Sequence, residues 1–204
     1  MHRRLATVEQ HLGAGVMGSG IAAHLANAGV PSLMFDLERP GDAIKGLAKQ
    51  KPAPLFHPSL ASLIEPCSYK DDSERMGECD WIVEVVTERL DIKLKVFENV
   101  RKHARPGTII TSNTSGIPIA AMTEGTPDDF KANFFVTHFF NPVRYMKLLE
   151  VVAGPDTDPA LVQALADFGD KVLGKGIVYG KDTVNFVANR IGTYGMMRIL
   201  HQVK

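Results

Sequence analysis

Short apolar runs alternate along this chain with stretches whose apolar positions recur at helical spacing. Parallel strands are apolar on both faces and need helical crossovers, so the alternation predicts an α/β domain with a mainly parallel sheet. Strands are predicted at 32–36, 81–86, 108–112, 132–138, 148–152 and 177–179. Helices are predicted at 16–28, closed by Gly29, at 91–103 with Asp91 as its cap, at 159–173 closed by Gly174, and at 183–201. Between 37 and 79 the pattern weakens, and Pro40, Pro52, Pro54, Pro58 and Pro66 break it into short helices and loops. A first strand should end at Leu12. It fits badly, because Glu9, Gln10 and His11 put polar residues where a central parallel strand is apolar.

Composition narrows the picture only slightly. Hydrophobic residues make up 45% and charged residues 23% of the 204 positions, ordinary values for a globular chain. Basic and acidic residues balance at 23 each, so no net field favours nucleic acid, and an anionic ligand must be held by local geometry. Cys67 and Cys79 lack zinc-ligand spacing and read as two thiols in a reducing compartment; no metal site is expected. Met1-His2-Arg3-Arg4 is basic, but no long apolar run follows before Gly13, so neither a secretory signal nor a membrane segment is expected and the cytoplasm is the default.

Two constellations carry candidate chemistry. Gly13-Ala14-Gly15-Val16-Met17-Gly18 fits the G-x-G-x-x-G fingerprint between a strand and a helix. The first glycine allows the turn, the second lets backbone approach a pyrophosphate, and the third lets helix and strand pack closely. Alone the motif is weak, but Asp36 ends the next strand, where a carboxylate binds ribose hydroxyls and repels a 2′-phosphate. Together they point to NAD rather than NADP, with Arg39 the nearest cation that could answer a 2′-phosphate. The second constellation is His138-Phe139-Phe140-Asn141-Pro142 with Glu150 across a turn. A carboxylate facing imidazole fixes its tautomer and suits it to take an alcohol proton. On spacing alone, a structural histidine satisfied by its neighbours is the simpler account. Ser112-Asn113-Thr114-Ser115 follows a strand, where parallel sheets place ligands, although an N-cap or Asx-turn would explain it equally.

In order, Gly13-x-Gly15-x-x-Gly18, Ser112–Ser115, His138–Pro142, Met146-Lys-Leu-Leu-Glu150 and Lys181-Asp-Thr…Asn189-Arg190 resemble the L-3-hydroxyacyl-CoA dehydrogenase family across essentially the whole chain. Lys51-Pro-Ala-Pro-Leu55 and Ile191-Gly-Thr-Tyr-Gly195 are similar to bacterial β-oxidation members in which this dehydrogenase precedes an enoyl-CoA hydratase region. The resemblance implies a Rossmann-type, doubly wound domain over 1–182 and the first helix of a truncated helical C-terminal domain over 183–204. It implies NAD as cofactor and oxidation of an acyl-CoA substrate, with His138 as base, Glu150 as its partner, and Ser115 and Asn189 on the substrate oxygens. Glu88, Lys93, Ser115 and Asn141 match positions at the nicotinamide end, although Glu88 and Lys93 also read as an exposed charge pair. The resemblance leaves open a homodimer through the C-terminal domain and a fused or associated enoyl-CoA hydratase. A 3-hydroxyacid dehydrogenase acting without CoA and a non-catalytic NAD-binding module remain rival readings. Two departures stand out. The 37–79 segment is too short for the family's full helical hairpin, so no CoA-binding residue is named, and Thr183-Val-Asn185-Phe replaces the usual Thr-Pro-Gly-Phe.

Overall fold

Among the described residues, eight strands form one sheet in the order β3-β2-β1-β4-β5-β6-β7-β8. The computed structural model describes residues 5–8, 15–37 and 41–203. In chain order the elements are β1 (Leu5–Val8), α1 (Val16–Asn27), β2 (Ser32–Asp36), α2 (Gly41–Leu47), β3 (Ile64–Ser68), β4 (Trp81–Glu84), α3 (Leu90–His103), β5 (Ile109–Ser112), α4 (Ile119–Met122) and α5 (Asp128–Asn133). There follow β6 (Phe134–Phe139), β7 (Leu148–Ala153), α6 (Pro159–Lys171), β8 (Gly176–Gly180) and α7 (Ala188–Gln202). Strands β1 to β6 run parallel, β7 is antiparallel to β6, and β8 is parallel to β7. This is the expected doubly wound arrangement. The strand order reverses direction between β1 and β4, and ligands of such sheets sit at that switch point, beyond the carboxyl ends of the strands.

Alternation along the strands divides the core. Ile82, Ile110, Phe134, Val136 and Val152 face α3 and α4, where Phe97 meets Phe134 edge-on with ring centroids 5.1 Å apart. Trp81, Val83, Phe135, Phe139, Leu149 and Val151 face α1 and α6. The helices end where expected: Gly29 and Gly174 follow α1 and α6 at φ 74° and 66°, which glycine adopts without strain. Cys67 and Cys79 are buried and not joined in a disulfide.

The structure departs from the sequence reading at several elements. β3 was expected as loop, because Glu65 and Pro66 interrupt its apolar run. As an edge strand it has one unpaired side, and there a proline costs no ladder hydrogen bond. Helix α3 begins one residue early, with Arg89 at the cap position, so Asp91 falls in the first turn and pairs with Arg89 at 2.8 Å instead of capping. α7 begins at Ala188 rather than 183, because Asn185 and Phe186 take left-handed φ values of 66° and 43°, which a right-handed helix excludes. The expected strand end at Leu12 lies outside the described residues, as do Gly13 and Arg39.

Candidate active site

The register of one strand pair builds the centre of the site. Phe134, Val136 and His138 share a face of β6, and His138 stands directly opposite Glu150 of β7. Directly opposed side chains of an antiparallel pair lie on the same face and within reach of each other. His138 Nδ1 lies 2.7 Å from Glu150 Oε2, with the histidine 5% and the glutamate 0% exposed. A carboxylate only accepts, so Nδ1 carries the proton and Nε2 presents its lone pair outward. Phe186 packs edge-on against the imidazole at 5.7 Å and helps exclude water. Glu150 Oε1 accepts from the amides of Val187 and Ala188 at 3.0 and 2.8 Å, so the same carboxylate holds the start of α7.

Ser115 reaches the imidazole from the loop after β5. Its Oγ lies 3.0 Å from His138 Nε2. The loop is tied down on both sides: Asn113 Oδ1 accepts from the Phe139 amide at 2.8 Å, and the Ser115 carbonyl accepts from the Asn185 amide at 2.8 Å. Glu88 Oε1 receives the Thr114 hydroxyl at 2.5 Å and the amides of Ser115 and Gly116 at 3.0 and 2.8 Å. Burial pushes the Glu88 carboxyl up, but these hydrogen bonds and the Lys93 charge outweigh it and hold the group below its ordinary value.

Of the residues expected on a cofactor, Gly15 caps α1 without a side-chain acceptor, and no acidic residue stands in that helix's first turn. The first-turn amides of a helix have no intrahelical partner, and they attract a phosphate. Val16 is exposed, Met17 half-buried and Gly18 buried. Asp36 is buried at the end of β2, its Oδ1 accepting from the Leu37 amide at 2.6 Å. Asn141 is exposed just after β6, on the rim of a cleft of about 320 Å³ whose other walls include Val16, Gly20, Lys51 and Tyr145. A larger hollow of about 560 Å³ opens near Arg101, Pro106 and Asn133, at the amino ends of β5 and β6, and holds none of these residues. Asn189, the second residue of α7, is half-buried, and its side chain makes no hydrogen bond to His138 or Ser115.

Lys93 is not an exposed charge. It is 1% exposed, and its Nζ donates to Glu84 Oε1 and Oε2 at 2.8 and 3.0 Å and to the Val86 carbonyl at 3.3 Å. Glu84 is the residue that sequence reasoning missed. It is fully buried, and it also accepts from the Val86 amide at 2.6 Å and the Ser112 hydroxyl at 2.5 Å. Burial pushes its carboxyl upward against the pull of Lys93. The signal was present in two places: a lone carboxylate inside Trp81-Ile-Val-Glu-Val-Val86, and a lysine on the helix face of Val96, Phe97 and Val100. Both charges stand at apolar positions, which is tolerable only if they meet.

Together the fold and this cluster define a dinucleotide-binding domain of the Rossmann type. More narrowly, residues 10–183 match the family described as 3-hydroxyacyl-CoA dehydrogenase, NAD binding domain, and the chain belongs to that family. It is 49% identical to a probable 3-hydroxyacyl-CoA dehydrogenase of Bacillus subtilis over 96% of its own length and 27% of that relative's. It is 38% identical to a putative fatty acid oxidation complex trifunctional enzyme of Rickettsia felis, covering 90% of this chain and 27% of that one. Its fold matches the crystal structure of 3-hydroxybutyryl-CoA dehydrogenase from Escherichia coli with a TM-score of 0.82 and 26% identity, over 100% of this chain and 44% of the other. The chain thus spans about a quarter of the length of the two sequence relatives named. No helix among the described residues is long and apolar enough to cross a membrane.

Proposed function

We propose that the protein oxidises L-3-hydroxyacyl-CoA to 3-oxoacyl-CoA with NAD, as a step of fatty-acid β-oxidation, with His138 as general base. The observation that carries this reading is the in-register pair His138–Glu150 with Ser115 Oγ 3.0 Å from the free imidazole nitrogen. The α1 amino terminus, Gly15, Gly18 and the buried Asp36 would hold the cofactor's pyrophosphate and ribose, and Glu88, Lys93, Ser115 and Asn141 would line its nicotinamide end. Bound NAD supplies the hydride acceptor. His138 Nε2 takes the hydroxyl proton of the substrate, and Glu150 stabilises the imidazolium that results. The Ser115 hydroxyl, which can rotate to donate, steadies the oxygen as it gains carbonyl character, and Asn189 joins it from α7.

The 183–204 segment is the opening of a helical domain in this reading. None of the residues of α7 is buried, and Ile191, Tyr194, Met196, Met197, Ile199 and Leu200 are all exposed. An apolar helix surface of that extent calls for a covering partner. Phe186, just before α7, is by contrast 3% exposed and packed on the imidazole. A homodimer through that domain and a fused or associated hydratase fit the same reading. The test is steady-state turnover of 3-hydroxyacyl-CoAs of increasing chain length beside the free 3-hydroxy acids, with NAD. Faster turnover of the free acids would replace the acyl-CoA assignment, and turnover of neither by a protein that includes the covering helical domain would end the enzyme reading.

A further inference from the structure

Among the described residues, Asn185 and Phe186 are the two non-glycine positions with left-handed φ, and they stand at the entrance to α7. For a bulky side chain such as Phe186, at φ 43°, this conformation is disfavoured and persists only where the surroundings hold it. Here the hold comes from the site itself. The Asn185 amide donates to the Ser115 carbonyl at 2.8 Å, and the Val187 and Ala188 amides donate to Glu150 Oε1 at 3.0 and 2.8 Å. Between these anchors the Phe186 amide closes a turn onto the Thr183 carbonyl at 3.0 Å. The Phe186 ring rests against His138, with centroids 5.7 Å apart and planes at 64°. Residues 185–188 thus touch Ser115, His138 and Glu150 together.

We infer that Phe186 is a positioning residue for His138: its ring fixes the tilt of the imidazole, through a backbone conformation that Ser115 and Glu150 hold in place. The catalytic consequence rests on the proposed dehydrogenase reading, whereas the placement of the ring is independent of it. His138 has two tethers, Nδ1 on Glu150 Oε2 at 2.7 Å and Nε2 on Ser115 Oγ at 3.0 Å. The N–H and the lone pair of an imidazole both lie in the ring plane. Two such tethers locate the edge of the ring and leave it free to rock about the line between its partners. Packed aromatic rings limit that rocking. Phe140 also meets the imidazole, at 4.5 Å, but it is half-buried and follows directly from β6. Phe186 is 3% exposed and comes from a separate, anchored segment, so it is the firmer contact.

The need for this contact grows during the reaction. To take the substrate's proton, Nε2 must give up Ser115 Oγ, and the imidazole then keeps Glu150 as its tether. A ring packed against it holds Nε2 on target through that exchange, and a displacement of about 1 Å can cost on the order of a hundredfold in rate. Burial offsets the backbone strain, since Phe186 joins the apolar cluster that includes Val136 and Val152.

The experiment compares Phe186→Leu, Phe186→Tyr and Ser115→Ala with the parent, each in the protein with its covering helical domain. It follows thermal stability, NAD affinity by calorimetric titration, the His138 ring nitrogen resonances by NMR, and turnover. Leucine keeps an apolar side chain at the same backbone and loses the ring, while tyrosine keeps the ring. In Phe186→Leu the Nε2 resonance should move toward its position in Ser115→Ala, turnover should fall on the order of tenfold to a hundredfold, and NAD affinity should stay within about threefold. Phe186→Tyr should keep the parental resonance and near-parental turnover. If Phe186→Leu folds poorly, Phe186→Met carries the same comparison, because its unbranched chain fills irregular space. A parental Nε2 resonance in the folded leucine or methionine variant overturns the inference. So does a folded tyrosine variant as slow as the leucine one, or a drop in NAD affinity that matches the drop in turnover, which would make Phe186 part of the cofactor site. If the parent shows no turnover, the dehydrogenase reading fails, and the resonance comparison still decides whether Phe186 sets the imidazole.

Discussion

Glu150→Gln separates two duties that the structure gives to one carboxylate. Three donors converge on Glu150: His138 Nδ1 on Oε2 at 2.7 Å, and the Val187 and Ala188 amides on Oε1 at 3.0 and 2.8 Å. A glutamine offers one accepting oxygen and one donating NH2, so it can satisfy one side only. If the oxygen faces Nδ1, the NH2 confronts two amides and leaves them unsatisfied, at about 1–3 kcal/mol for each buried group. If the oxygen faces the amides, both bonds survive and the NH2 points at Nδ1. The second orientation preserves more, so it should prevail. It obliges Nδ1 to accept, which moves the imidazole proton to Nε2, the atom that must take the substrate's proton. The base is then in the wrong tautomer while the fold is intact. Turnover should fall by about a hundredfold to ten-thousandfold, the usual worth of a general base. Thermal stability and NAD affinity should change little. Glu150→Ala, by contrast, strands both α7 amides and should destabilise the protein by roughly 2–4 kcal/mol. The assay is NADH oxidation with acetoacetyl-CoA, beside thermal unfolding. In a His138→Gln background the further loss from Glu150→Gln should be small, because residues acting as a unit do not multiply their effects. Glutamine retaining parental turnover, or multiplying the His138 loss, would refute the dyad.

Three further outcomes follow from particular contacts. Titration with NAD and NADP should show NADP at least about tenfold weaker, because its 2′-phosphate would meet the buried Asp36, and like charges brought together cost several kcal/mol; equal affinities would remove Asp36 from the cofactor site. His24 is held neutral, its pKa lowered to about 4 by burial and then by the nearby Lys175 charge, while its Nε2 bonds the Leu173 carbonyl at 3.0 Å. The unfolded chain takes up this proton below about pH 6.5 and the folded chain only near 4, so stability present above pH 6.5 should fall as pH drops through that window. Allowing for partial solvent access, the loss is on the order of 2 kcal/mol, and urea unfolding of His24→Gln should show a flatter profile, whereas an unchanged slope would count against the assignment. At Asn185, φ 66° suits asparagine or glycine but not a β-branched residue, so Asn185→Val should lower stability by about 1–2 kcal/mol and Asn185→Gly by less than about 0.5, and equal melting temperatures would refute the backbone argument.

Much of this protein was legible in its sequence because the deciding forces are local. Alternating apolar runs and helical stripes gave the order of strands and helices, and Gly29, Gly174 and the Asp158-Pro159 start marked helix ends through backbone chemistry that needs no partner. The motif around Gly15 and Gly18 and the isolated Asp36 were equally readable, since a glycine-rich turn and a strand-end carboxylate declare their chemistry at short range. Tertiary structure decided what depends on register and on distant neighbours. That His138 faces Glu150 follows from the pairing of β6 with β7, and a shift of one residue would have turned them to opposite faces. β3 exists because an edge of the sheet accepts Pro66, which no local pattern announces. Asn185 in place of the usual glycine looked like a departure, yet its left-handed backbone shows that asparagine fills the same conformational need. Lys93 also read as an exposed charge, because charge normally seeks water. Only the packing of α3 on β4 brought Glu84 close enough to make burial the better place for it.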